Sequence, residues 1–173
     1  MQIYLIGFMG SGKSFTGQQL AQLLDRQFID LDDWIEQKAG HSIREIFEQQ
    51  GEAHFRKSEA EAIRQMAEQP AAVIATGGGT PCFHQNMEWM NANGLTIYLD
   101  TSPEVLFQRL KDGRDHRPLI RSMSDEGLWS YIALKLQERT PYYQRASIIY
   151  AQKTGREAIA EDLAHQFSNI TGH

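Results

Sequence analysis

Ile3-Tyr4-Leu5-Ile6-Gly7-Phe8-Met9-Gly10-Ser11-Gly12-Lys13-Ser14 decides the fold. Its first four residues form an apolar run of strand length, and Gly7 ends it. Gly7 to Ser14 then satisfies G-x-x-x-x-G-K-[ST] without mismatch, and Leu20, Leu23 and Leu24 follow at helical spacing. Glycines in such a turn let successive backbone N–H groups point inward, where the helix N-terminus adds partial positive charge. Lys13 can then reach the β- and γ-phosphates of a nucleotide, and the Ser14 hydroxyl can ligate Mg²⁺. A glycine-rich turn of purely structural use needs neither the strand before it nor the helix after it. The stretch predicts a site for a nucleoside triphosphate.

Working outward, short apolar runs alternate with longer helical patterns. Strands are predicted at Phe28–Asp30, Ala72–Ala75, Leu95–Leu99 and Ser147–Tyr150. Helices are predicted over 18–25, 33–39, from Ser42 to a break at Gly51, 52–68, 83–91, 103–110, 124–141 and 157–167. Ser42 and Glu45 have capping-box spacing, and Ser102-Pro103-Glu104 gives an N-cap, a proline at N1 and an acid in the first turn. Residues 111–122 are polar, rich in Arg and Lys and without an apolar period, which suits a mobile loop. Strands separated by helices imply βαβ units, hence an α/β fold with a mainly parallel sheet covered on both faces.

Composition sets the bounds. The chain has 173 residues, enough for one domain, a formal charge of −5 and a single cysteine, Cys82. The charge argues against a general nucleic-acid binder, and one cysteine excludes an internal disulfide framework and fits a reducing compartment. No apolar run approaches the ~18 residues that would cross a bilayer, and no basic region precedes the first apolar stretch as it would in a signal peptide. A cytoplasmic, monomeric protein is the expectation.

A P-loop alone does not separate GTPases, motor ATPases and small-molecule kinases. The chain has no N-K-x-D guanine signature. An arginine-rich loop late in the chain suits a small kinase, where it can close over the nucleotide and supply cations to the transferring phosphoryl group. The acceptor must then face the nucleotide from the C-terminal ends of neighbouring strands. Asp30-Leu31-Asp32-Asp33 follows the second strand and, at period two, puts Asp30 and Asp32 on one side. One carboxylate can organise water on Mg²⁺ and the other can accept a hydroxyl proton, while Asp33 is the candidate helix cap. Gly77-Gly78-Gly79 follows the third strand and allows close approach of a small ligand. Arg56 is either a solvated helix residue or a bidentate clamp on a carboxylate.

Six segments occur together in the order and spacing of a known family. They are Gly7 to Ser14, Asp30-Leu31-Asp32, Gly51-Glu52 with Phe55-Arg56, Gly77-Gly78-Gly79, Arg117-Pro118-Leu119 and Arg139-Thr140-Pro141-Tyr142. Over residues 3 to roughly 150 the chain resembles shikimate kinase. The resemblance implies ATP- and Mg²⁺-dependent phosphorylation of the shikimate 3-hydroxyl, a step of aromatic amino acid biosynthesis. It implies a P-loop domain over 1–173: a three-layer sandwich around a five-stranded parallel sheet, with acceptor-binding helices over about 32–67 and a lid over about 111–123. It makes Asp32 the base and acceptor ligand, Asp30 and Ser14 the metal-side residues, and Arg56 and Arg139 the grip on the carboxylate, with Glu59 orienting Arg56. Backbone at Gly78 and Gly79 contacts shikimate, and Phe47, Phe55, Pro118 and Leu119 wall the pocket. Gly10, Ser11, Gly12, Lys13, Ser14 and Phe15 hold the nucleotide, Arg117 contacts the transferring phosphates, and Arg109 and Gln152 are candidates for the base. For Arg109 a helix C-terminal cation is the alternative.

Some positions depart from the family pattern. Thr80-Pro81-Cys82 stands where small aliphatics are more usual, and Tyr142 where Leu is. His41, His54, His84 and His116 show no metal-ligand spacing, the three tryptophans read as packing, and Leu128 to Leu136 reads as a core stripe. Rival readings are a gluconate or nucleoside monophosphate kinase on the same scaffold, and a non-catalytic nucleotide-binding regulator. Asp100, after Ile97-Tyr98-Leu99, looks like a Walker-B carboxylate but equally ends a strand.

Overall fold

In the computed structural model, β1 (Gln2–Ile6) alternates its side chains between two cores. Ile3 and Leu5 face one and Tyr4 and Ile6 the other, all fully buried. A central strand of a two-sided sheet favours apolar side chains on both faces, which is why Ile3 to Ile6 show no polar alternation. The structure describes residues 1–117, 119–152 and 158–171. Pro118, expected in the pocket wall, and Lys153 to Glu157, which include the expected start of the last helix, lie outside them.

The sheet has five parallel strands in the order β2 (Gln27–Asp30), β3 (Ala72–Ala75), β1, β4 (Gly94–Thr101) and β5 (Ile148–Gln152). Helices α1 (Lys13–Leu23) and α7 (Ile159–Thr171) pack together on the Ile3–Leu5 face. On the opposite face, α2 (Leu31–Ala39), α3 (Ile43–Gln65) and α4 (Asn86–Asn93) cover Tyr4, Ile6, Ile74 and Tyr98. This is the expected three-layer α/β sandwich. β1 lies between β3 and β4, so the chain crosses over at its C-terminal end, where such sheets open a crevice.

Local chemistry explains most boundaries. Ser42 and Glu45 close a reciprocal capping box at the start of α3, and Gly51 breaks that helix with φ 82° and ψ 172°, a conformation that a side chain disfavours. Ser102 caps α5 (Pro103–Asp112), and Ser124 caps α6 (Asp125–Tyr143).

Two expectations need correction. Residues 111–122 are not devoid of packing: Ile120 is fully buried with Phe8, Leu106, Leu110, Leu128 and Ile132, and so ties this segment to the P-loop and α6. Helix α6 does not end at Pro141 but runs through it to Tyr143. The Leu128–Leu136 stripe is core as expected: Leu128 and Ile132 are buried and Leu136 packs against them, while Leu134 and Trp129 are exposed.

Candidate active site

The crevice beside β1 holds a cavity of about 780 Å³, lined by Met9 to Thr16, Asp30, Asp32, Thr76 to Gly78, Arg109, Arg117 and Gln152 among others. The phosphate-cradle residues and both aspartates are therefore brought together. The cradle turns on Gly12, whose φ of 89° lets α1 begin at once with Lys13. Lys13 is folded back, its Nζ donating to the carbonyls of Gly7 at 2.8 Å and Phe8 at 2.9 Å. Burial lowers its pKa to about 8, against the opposing pull of Asp32 and Asp30. Arg139 and Arg117 push in the same direction as burial, so both arginines act on the same spot.

Asp30 and Asp32 divide the labour at the start of α2. Asp30, and not Asp33, caps the helix, accepting from the Asp32 backbone N–H at 3.1 Å. Its other oxygen accepts from the Ser14 hydroxyl at 2.7 Å. Asp32 points inward, and its buried Oδ1 has no hydrogen-bond partner. Burial, with Asp30 and Glu59 nearby, raises its pKa to about 6, while Lys13 opposes the rise.

The three glycines after β3 each leave room for a different side chain. A Cβ at Gly77 would lie 3.0 Å from Glu59 Oε1 and 3.3 Å from Asp32 Oδ1, and one at Gly78 3.1 Å from Arg139 Nη1. One at Gly79 would sit 2.6 Å from Arg56 Nη1. Arg56 donates to Glu59 Oε2 at 2.7 Å and lies between the rings of Phe83 and Phe55, 4.3 and 5.3 Å from their centroids. Arg139 lies 5.6 Å from the Phe8 ring centroid. Both arginines thus meet at one glycine turn, although they start 83 positions apart in the sequence, on α3 and α6.

A shikimate kinase family model matches residues 9–169. The chain belongs to the shikimate kinase family. The chain is 40% identical over 170 residues to a shikimate kinase of Parabacteroides distasonis, with 98% of each chain covered. It superposes on the crystal structure of a shikimate kinase from Bacteroides thetaiotaomicron with a TM-score of 0.90, 35% identity, and 100% and 99% of the two chains covered. A shikimate kinase from Acinetobacter baumannii in complex with shikimate matches with a TM-score of 0.81 and 35% identity over 99% and 93% of the chains. The family's donor is ATP.

Other expected residues fall as follows. Arg117 faces the cavity, and Phe15 stands at its edge with 68% of its surface exposed. Phe55 is buried against Phe47 with ring centroids 4.7 Å apart, whereas Leu119 is exposed. Gln152 is buried and its amide is spent on the cradle: Nε2 donates to the Ser11 carbonyl at 2.9 Å, and Oε1 accepts from Arg109 at 3.4 Å. Arg109 also donates to the Gly10 carbonyl at 3.1 Å, so the pair braces the P-loop from outside. Tyr143 escaped the sequence reading, which stopped at Tyr142. Its buried hydroxyl donates to the Gly78 carbonyl at 2.5 Å, and Arg139 stands one helical turn earlier on α6. The i, i+4 spacing from Arg139 was the available signal.

Proposed function

We propose that this chain transfers the γ-phosphoryl group of ATP to the 3-hydroxyl of shikimate, giving shikimate 3-phosphate and ADP. One observation carries the reading: an inward, unpartnered carboxylate with a raised pKa, Asp32, lies beside the cradle lysine while two arginines meet at the neighbouring glycine turn. A carboxylated polyol needs that mixture, and a nucleotide base does not.

In this reading the acceptor carboxylate is held by Arg56 and Arg139, and the backbone of Gly78 and Gly79 supports the ring. Asp32 orients the reacting hydroxyl and takes its proton as the acceptor oxygen bonds to the γ-phosphorus and the bond to ADP breaks. A carboxyl raised to about 6 is ionised at neutral pH yet basic enough to assist. Lys13 leaves the carbonyls of Gly7 and Phe8 for the phosphates, which the amides of Gly10 to Phe15 also receive, and Arg117 steadies the charge from the lid at 111–123. Ser14 and Asp30 fit Mg²⁺, since two hard oxygen donors already stand 2.7 Å apart at the cavity. When bound, the ion neutralises charge on the β- and γ-oxygens. Among the described residues no cluster of three or more His, Cys, Asp or Glu could hold a metal, which suits an ion held mostly by phosphate and water. Gln152 and Arg109 act on the nucleotide side by shaping the cradle.

The enzyme acts on a small molecule, as a monomer in the cytoplasm, without nucleic acid or membrane. The net charge of −5 and the free Cys82 support this, and no described helix is long and apolar enough to cross a membrane. A coupled ADP-release assay with shikimate, gluconate and nucleoside monophosphates as acceptors tests the reading. Turnover with shikimate, with the product's phosphate located at O3 by NMR, is expected. Preference for another acceptor, or no ADP release with any, overturns it.

A further inference from the structure

We propose that Thr80 is a positioning residue that sets the acceptor grip through Glu59 and Arg56. This rests on the acceptor reading above, in which Arg56 holds the carboxylate. Glu59 is 1% exposed, and a carboxylate so deeply buried needs all its oxygens engaged. Oε2 accepts from Arg56 at 2.7 Å, and Oε1 accepts from the Thr80 hydroxyl at 2.6 Å. The threonine therefore fixes the rotation of the carboxylate that aims the guanidinium.

The hydroxyl is itself held in place. Thr80 is fully buried, and its carbonyl accepts from Asn86 Nδ2 at 2.9 Å. Asn86 Oδ1 accepts in turn from Arg64 at 2.8 Å, and Arg64 lies on α3, five residues beyond Glu59. The turn after the glycines is thus tied to α3 at two points, one through its backbone and one through the threonine side chain. A Cβ at Gly77 would come within 3.0 Å of both Glu59 Oε1 and Thr80 Oγ1, so the glycine keeps open the space in which these two meet. An aliphatic residue at position 80 fills the same volume but leaves Glu59 Oε1 without a donor. This chain has a hydroxyl there and so holds its carboxylate grip more rigidly.

The test compares Thr80→Val, Thr80→Ala and Thr80→Ser with the parent. Thr80→Val and Thr80→Ala are expected to raise KM for shikimate by about tenfold, with kcat and KM for ATP nearly unchanged. Thr80→Ser, which keeps the hydroxyl, restores the parental KM. With shikimate's carboxylate replaced by a hydroxymethyl group, the four enzymes should have the same KM, since the grip is then unused. An NMR readout needs no acceptor: the Arg56 Nη1–H resonance, which reports the bond to Glu59, should exchange slowly with water in the parent and in Thr80→Ser, and faster in the other two. Equal KM for shikimate across the series in a parent that phosphorylates shikimate overturns the proposal, and so does equal Arg56 exchange in all four. Slowed kcat with unchanged KM also overturns it, because that is what a merely structural role would give. A parent that ignores shikimate overturns the acceptor reading, and the Arg56 exchange contrast then still decides whether Thr80 sets the guanidinium.

Discussion

The guanidinium of Arg56 occupies the space that a side chain at position 79 would need: a Cβ on Gly79 would lie 2.6, 2.7 and 2.9 Å from its Nη1, Nη2 and Cζ. The glycine and the arginine are therefore one device, although they belong to different elements. Gly79→Ala should push the guanidinium off Glu59 and weaken the acceptor grip. KM for shikimate is expected to rise by roughly tenfold, or ~1.4 kcal/mol, with KM for ATP unaffected. Steady-state kinetics with each substrate varied in turn checks this, and a parental KM for shikimate would show that Arg56 moves aside without consequence.

How much of this was legible in the sequence depends on how local each signal is. The strand, cradle and helix at 2–23 were readable because the glycine spacing, the lysine and the apolar run are adjacent and mutually dependent. The caps at Ser42, Ser102 and Ser124 were readable for the same reason. The choice of cap on α2 was not: three aspartates in four positions offer several, and only the backbone geometry and the Ser14 hydroxyl select Asp30. Ile120 carries no local signal within a polar segment, because its partners come from the P-loop, α5 and α6. Tyr142 and Tyr143 are indistinguishable by type, and only the helix phase sends Tyr143 to Gly78. The Thr80–Glu59 contact joins residues 21 apart and leaves no periodic trace.

Lys13 carries the cradle's charge. Its present partners are carbonyls, which it can exchange for phosphate oxygens without a backbone change. Lys13→Ala is expected to lower kcat by roughly 10²–10³-fold, the usual cost of one preorganised charge at the transferring group. Circular dichroism should show an unchanged fold. Near-parental turnover would place the phosphates elsewhere.

Asp32 should show itself in two pH dependences of opposite sign. As base it must be ionised, so kcat/KM for shikimate should rise with pH through about 6 and then level. For stability the raised pKa works the other way. The fold favours the protonated carboxyl, so its contribution is complete below the usual 3.8 and is lost as pH rises through about 6. Asp32→Asn should therefore lose ~10²-fold or more in kcat. Above pH 6 it should also be more stable than the parent, by up to about 3 kcal/mol. Urea denaturation at pH 3 and pH 7.5 measures the second effect, which should all but vanish at the lower pH. A stability difference independent of pH would mean that Asp32 is not held at a raised pKa.

Ser14 and Asp30 present one hydroxyl and one carboxylate at the same edge of the cavity. Asp30→Asn keeps the cap on α2 but reduces the negative charge offered to the cation. The Mg²⁺ concentration giving half-maximal rate should rise several-fold, about 1 kcal/mol, while saturating Mg²⁺ restores most of kcat. Titration of activity against free Mg²⁺ decides this. An unchanged midpoint would confine Asp30 to helix capping.

Arg56 and Arg139 reach the glycine turn from α3 and α6, and both would have to grip one planar anion. A guanidinium fork suits that geometry, whereas a lysine offers a single point charge. Arg139→Lys is therefore expected to raise KM for shikimate by at least about tenfold, or ~1.4 kcal/mol. The change should exceed the loss of one contact, because Arg139 also lies against Gly78, whose carbonyl Tyr143 holds. The double variant with Arg56→Lys should cost less than the sum of the two, since both share a ligand group. Kinetics on the four enzymes, with shikimate and gluconate as acceptors, measures the coupling directly. Strict additivity would mean that the two arginines hold different parts of the acceptor, and better turnover of gluconate by the parent would remove shikimate while leaving the P-loop kinase in place.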